Sequence, residues 1–486
     1  MAPWGCGRVR DLFLRLLGVV FAIAFASLLV QLDVLYGHDG LLPVGEYLRA
    51  LAATGNVRYA PTLFWLASGD AVLHATAVAG IVAGLALATN VGPRAALVVA
   101  WALYLSFVNV GQDFLSFQWD NLLLETGFFA LFLVPGGLRP RNAAAPHPLA
   151  ILLVRWLVFR LNFESGAAKL LTGDPAWRNL TAMVAYYETA PLPTWLGWYA
   201  HQMPLWAHRA SAGFTLLVEL GLAPLVFAPR RVRAAVVAVM TLFQLSVLLT
   251  ANYGFFNYLN LALLLLVLDD GHLVWIAARC RVALTPAPPP RHGRLRTALF
   301  AALTLVVVPV SIVPFLPFLS RSAARAPALG PVRDVIEATR AVNAYHLFAQ
   351  MTLVRREVVI EGSADGTAWQ SYELRYKPGD PDRAPPFVAP HQPRVDFQLW
   401  FLPLGGRLQA RYFDTLLARL LTKPAAVAPL FARDPFPDTP PKLLRVALYR
   451  YRFSDAPTRR ATGDWWTREL LGTTQPIGAP PRDGGS

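Results

Sequence analysis

The sequence predicts a multi-pass α-helical membrane bundle of about nine spans, followed by a C-terminal β-rich extramembrane domain. Three observations predict it. Hydrophobic residues make up 55% of the chain, 15% are charged, and the mean hydropathy is +0.41, values outside the range of ordinary soluble domains. The apolar residues gather into nine runs, of which 122–134 and 149–161 are short enough to be re-entrant instead, and arginines fall in every second connection between them. From about Ala324 the composition changes to short alternating segments, with Ser363-Ala364-Asp365-Gly366 as a hairpin signal.

The runs, in order, are 11–30, 61–89, 95–110, 122–134, 149–161, 214–227, 234–249, 255–268 and 299–319. The first follows Arg8 and Arg10, is longer than a signal-peptide core and has no A-x-A site after it, so it reads as a retained anchor. Arg94, then Arg139 and Arg141, then Arg230, Arg231 and Arg233, then Arg279, Arg281, Arg291, Arg294 and Arg296 mark the same side as the N-terminus. The positive-inside rule makes that side cytoplasmic. It places the 111–121 loop, the 171–210 segment and everything after about 320 outside, in a lumen or periplasm. The domains expected are 1–323 in the membrane, 324–470 as the β-rich domain, and a disordered tail over 471–486.

The net charge of +14 does not point to nucleic acid, because the basic residues are scattered between apolar runs with no basic face of interleaved stacking aromatics. The lipid bilayer is the expected partner. Cys6 and Cys280 are the only cysteines, too few and too far apart for a disulfide framework or a thiolate metal site.

The stretch 162–204 organises the chain. Glu164 and Lys169 end the fifth run, where ionisable groups are costly unless they face the protein interior. They are expected to form a buried ion pair or hydrogen-bond network, serving either chemistry or as a clamp between spans. Asp113, Asp120 and Glu125 form a second cluster, with Asp120 as a cap of the fourth helix and Glu125 meeting Lys169 or Arg160. Gly173-Asp174-Pro175 starts a helix, with Asp174 as N-cap and Pro175 at the first position. Trp177, Leu180, Val184 and Tyr187 follow at helical spacing, predicting an amphipathic surface helix over 175–188 that carries Arg178 and Glu188. Arg178 is placed to pair with Asp174 at i,i+4. His201 has no second His at ligand spacing, so no metal is expected. Asn179-Leu180-Thr181 is a formal glycosylation sequon, discounted because it falls inside this helix. His391 and Arg394 lie in a proline-flanked loop, with a structural turn holding Arg394 as the alternative to a binding role. No nucleophile elbow, phosphate loop or HExxH occurs, and no cofactor is expected.

Several runs of residues carry a resemblance. They are Lys169-Leu170, Thr172-Gly173-Asp174-Pro175, Trp177-Arg178-Asn179-Leu180-Thr181, Tyr186-Tyr187-Glu188-Thr189, Pro191-Leu192-Pro193 and Trp198-Tyr199-Ala200-His201-Gln202. Phe114 to Asp120 with Leu122-Leu123-Leu124-Glu125 forms a second block. Glu357, Asp365-Gly366, Tyr376-Lys377-Pro378-Gly379 and Pro390-His391-Gln392-Pro393-Arg394 form a third. Together they resemble the lipase maturation factor family, multi-pass proteins of the endoplasmic reticulum membrane needed for certain secreted lipases to become active. The resemblance implies a chaperone-like assembly factor whose client is a lipase or another exported protein, with His391, Arg394 and Trp400 as client-facing candidates. Mammalian members carry additional cysteines, whereas the outer segments here carry none, which argues against thiol exchange. Heavy use of Ala, Arg and Pro suggests a bacterial-type homologue, and hence an inner membrane in place of the endoplasmic reticulum. The alternative is an integral membrane enzyme with the architecture of the vitamin K-dependent carboxylases, using Lys169 as a base with Glu164.

Overall fold

The computed structural model describes residues 5–289, 293–320, 322, 325–405 and 410–479. Arg291, the expected boundary at 323/324 and the end of the tail lie outside the described residues.

The bundle begins with the Gly7–Leu29 helix, whose first amides are capped from far away in sequence. The Asp270 carboxylate accepts from Gly7 N (3.1 Å), Arg8 N (2.8 Å) and Val9 N (3.1 Å), a negative charge at the positive end of a helix. The Asp70–Ala88 helix packs along it through Gly18 and Gly84. A Cβ on Gly18 would sit 2.4 Å from Ala88 N, and one on Gly84 2.7 Å from Ala22 N, so only glycine permits this backbone approach. The Pro148–Leu171 helix starts with Pro148 at its first position and His147 Nδ1 accepting from Leu149 N at 3.2 Å. The Leu205–Phe227 helix widens into a π-helical turn over Leu217–Leu222, just before Pro224. Proline lacks the N–H that would continue the ladder, so the turn opens there.

Among the described residues six helices are long and apolar enough to cross a membrane: Gly7–Leu29, Asp70–Ala88, Pro93–Val110, Leu205–Phe227, Arg230–Thr250 and Arg294–Leu319. Phe256–Leu265 and Asp270–Arg279, bent by 99°, raise the number to seven if they form one span. The sequence expectation was about nine. The two remaining runs lie in helices of another kind. Gln118–Ala130 has only 13 residues, and a straight crossing takes about 20. Pro148–Leu171 has 24 but carries Arg155, Arg160, Glu164 and Lys169. The protein is a multi-pass membrane protein whose polar helices stand inside the bundle.

The C-terminal region holds an antiparallel sheet ordered Gln370–Ser371, Arg355–Ser363, Leu443–Phe453, Trp466–Thr473, with Ile477–Gly478 also pairing to Leu443–Phe453. Arg355 faces Tyr451 and Ser363 faces Leu443 in the central pair. The turn after Arg355–Ser363 is set by Asp365, which accepts from Thr367 N (2.8 Å) and Ala368 N (2.9 Å), with Gly366 at φ +83°. The Arg394–Leu399 helix buries Arg394, Val395, Asp396, Phe397 and Leu399. The Arg411–Thr422 helix buries Tyr412, Phe413, Leu416, Leu417, Leu420 and Leu421 on one face. Of the tail expected to be disordered over 471–486, residues 471–473 end the Trp466–Thr473 strand and residues 477–478 form Ile477–Gly478, both paired to Leu443–Phe453.

Candidate functional site

Glu125, Arg160, Glu164 and Lys169 converge on one segment, residues 343–351, which packs against the Gln118–Ala130 helix and the Leu171 end of the Pro148–Leu171 helix. Glu125 and Arg160 form a fully buried ion pair. Glu125 also accepts from Asn343 N (2.8 Å) and from the Tyr345 hydroxyl (2.7 Å). Arg160 Nη1 donates to Ser311 O and Asn343 O, each at 2.9 Å. Glu164, one turn on, lies 3.7 Å from Arg160 and accepts from Tyr345 N at 3.0 Å. Every charge in this cluster has an opposite charge or carbonyl against it, the condition for enclosing it.

Lys169 belongs to a separate cluster. Its Nζ lies 2.9 Å from Glu219 Oε1, donates to Leu347 O at 2.9 Å, and sits 5.1 Å from the Trp177 ring centroid. The following motif residues hold the same segment: Thr172 Oγ1 donates to Ala349 O (2.8 Å), Trp177 Nε1 to Phe348 O (2.8 Å), and Asp174 Oδ2 accepts from Met351 N (2.5 Å). Beside Lys169 and Glu219 lies a cavity of about 350 Å³, walled by Leu161, Tyr187, Phe214, Phe243, Tyr253 and Phe348 among others. A second, of about 660 Å³, lies beyond Leu347 and Phe348 and is lined by Phe117, His346, Phe397 and Trp400.

Two further contacts fasten the C-terminal domain. Arg394 meets Asp120 in a bidentate pair, Nη1–Oδ2 2.6 Å and Nη2–Oδ1 2.8 Å, and Tyr104 donates to Asp120 Oδ1 at 2.6 Å. The loop bearing Arg394 is inserted at the end of the first helix: Gln392 N donates to Ser27 Oγ (2.9 Å), Arg394 N to Gln31 Oε1 (2.8 Å), and His391 Nδ1 lies 2.9 Å from Ser27 Oγ. Burial, with the Arg394 charge adding to it, pushes His391 down to about 4, so its ring is neutral at pH 7. In the second contact, Arg355 donates to Glu188 O (2.8 Å) and Pro191 O (2.9 Å) while pairing with Glu357, which Lys377 also meets at 2.6 Å. Phe453 N donates to the Glu188 carboxylate at 2.8 Å, and Trp198 Nε1 to Ser454 O at 2.9 Å. Burial raises the Glu188 carboxyl, opposed by that amide and by Arg355.

Comparison with known proteins decides the family. The family model for the lipase maturation factor transmembrane domain matches residues 8–275, and that for the lipase maturation factor C-terminal domain matches residues 341–476. The chain belongs to the lipase maturation factor family. It is 33% identical to lipase maturation factor 2 of Homo sapiens, over 95% of this chain and 81% of that protein. It is 32% identical to lipase maturation factor 1 of Bos taurus, over 95% and 87%. No solved structure matches.

Against this family fold the expected site residues sort differently from the way the sequence suggested. Glu164 and Lys169 do not pair; the first is held with Arg160 and the second with Glu219. Asp120 does not cap the fourth helix, since its carboxylate is taken by Arg394 and Tyr104. Asp174 does cap, accepting from Ala176 N at 2.7 Å, but Arg178 donates to Leu170 O instead of to Asp174. The 175–188 helix is broken into Pro175–Arg178 and Ala182–Thr189, with Leu180 at φ +56°. It is no surface helix, because Trp177 and Tyr187 are buried under the C-terminal domain and the neighbouring span. The break leaves Asn179 exposed in a turn, outside any helix. His201 lies 3.7 Å from Glu188 and near His208, and burial, then His208, lowers it to about 4; the described residues hold no group of three metal-ligating side chains. His391, Arg394 and Trp400 do not face outward: Arg394 and Trp400 are 1% and 8% exposed, and His391 is half-buried against Ser27.

Glu219, Ser27, Gln31, Asn343 and Tyr345 were missed. Glu219 had a readable signal, as the one acidic residue in the apolar run 214–227, where an ionisable group implies a buried partner. Ser27 and Gln31 are ordinary polar residues at the end of a span, and nothing local distinguishes them.

Proposed function

We propose that this chain is a membrane-bound maturation factor assisting secreted lipases or other exported proteins. The observation that carries the reading is the family match over both the transmembrane and the C-terminal parts. The outer face is the lumen in a eukaryotic host, or the periplasm if the protein sits in a bacterial inner membrane; the arginine pattern supports that orientation. With His391, Arg394 and Trp400 enclosed, the client surface is better sought on the Trp466–Thr473 strand. It lies at the sheet edge and is exposed from Thr467 to Thr473, with Leu470 and Leu471 outward. An open edge of this kind accepts an added strand from a partner chain. The carboxylase-like reading finds no favouring observation: Lys169 is occupied by a carboxylate and a carbonyl, and Glu164 is not its partner.

Co-expression with a secreted lipase, in cells lacking any other member of the family, tests the proposal. Specific activity of the secreted lipase is expected to rise, and to fall back when Leu470→Asp and Leu471→Asp are introduced together. An unchanged specific activity with the folded chain present in the membrane overturns it.

A further inference from the structure

We infer that the cavity beside Lys169 and Glu219 binds a neutral glycerolipid with a free hydroxyl, of the diacylglycerol type, entering sideways from the bilayer. Its volume of about 350 Å³ falls within the roughly 300–1,000 Å³ of small-molecule sites. The mouth lies between the Leu205–Phe227 and Arg230–Thr250 helices, where Leu242 is 63% exposed and Ser246 is also exposed. Only 33% and 28% of those two spans is buried inside the protein, so their outer faces, and the mouth between them, meet the acyl chains of the membrane. Such a mouth admits a chain that never leaves the apolar phase.

The inner lining selects the headgroup. Lys169 and Glu219 are the only charged residues lining the cavity among the described residues, and they neutralise each other. An ionised phosphate would find no free cation there and would lose its hydration without compensation. Two lining groups lack partners: Trp119 Nε1, a donor, and Asn260 Oδ1, an acceptor, on residues 3% and 1% exposed. Buried polar groups are rarely left so. Both atoms are closed off from solvent in this arrangement; a small turn of the indole and of the carboxamide toward the cavity brings the N–H to an ester carbonyl and the amide oxygen to a free glycerol hydroxyl. The inference goes beyond the maturation reading and does not depend on any client.

The test uses the full chain in phosphatidylcholine vesicles containing a diacylglycerol with a diazirine in its acyl chain. After irradiation, adducts are expected on peptides around Thr215 and Phe243, competed by unlabelled diacylglycerol and not by phosphatidic acid. Ser246→Trp, placing an indole at the exposed mouth, is expected to cut that labelling about tenfold with the unfolding temperature unchanged. Asn260→Leu is expected to remove the advantage of diacylglycerol over its O-methyl ether as competitor. Labelling that no lipid competes, or that Ser246→Trp leaves intact, overturns the site. Equal competition by phosphatidic acid overturns the neutral headgroup.

Discussion

Arg394→Ala is expected to cost about 3–5 kcal/mol, because it strands a buried carboxylate. Asp120 is 0% exposed, and once the guanidinium is gone only the Tyr104 hydroxyl remains as a side-chain partner among the described residues. The lost side chain also donates to Phe114 O at 3.0 Å, so the 111–117 loop loses one of its contacts as well. Scanning fluorimetry in detergent should show a large fall in the unfolding midpoint, with new protease cleavage near residues 385–405. Asp120→Leu combined with Arg394→Met should recover most of the loss, since a buried pair is close to break-even with apolar packing of similar volume. A single Arg394→Ala variant that unfolds at the parental temperature would show that the pair holds nothing.

Glu125→Leu is expected to be comparably damaging, again about 3–5 kcal/mol. Arg160 is fully enclosed and, among the described residues, keeps two carbonyls and a carboxylate 3.7 Å away, while Asn343 N and the Tyr345 hydroxyl lose their acceptor together and Asn343 Nδ2 is left with Asn121 O and Arg340 O. Glu164→Gln should be much milder. Its amide oxygen can still accept from Tyr345 N, and the charge it gives up is the more distant of the two. The unfolding midpoints of the two variants in one detergent measure the contrast. Equal effects would contradict the assignment of Glu125 as the centre of this cluster.

Both substitutions act on contacts that the sequence announced only by half. The spans were legible because an apolar run has no other stable place. The polar residues inside them were legible as buried and paired, but their partners were not. Residues Glu164 and Lys169 are five apart, which rotates them about 140° from each other on a helix; that offset already separates their faces. Arg160 and Glu164, four apart, share one. The break at Leu180 escaped a reading based on apolar spacing, because Thr181 N turning back to Ala176 O (2.7 Å) leaves the spacing intact. His391 and Arg394 looked exposed because prolines flank their loop. Its hydrogen bonds run to Ser27 and Gln31, 363 or more residues earlier, a separation no local pattern reports. The short alternating segments after about Ala324 were readable as strands because alternation depends on the period of one strand alone.

The segment 162–204, whose residues 175–188 read as a surface helix, is therefore the seat on which residues 343–351 and the C-terminal sheet are locked. The most direct test is to insert a protease site after Ala326, cleave the protein in membranes and wash with concentrated salt. Buried pairs are screened little by salt, so the fragment from 327 onward is expected to stay with the membrane pellet in full. Release of that fragment as a soluble domain would contradict the account.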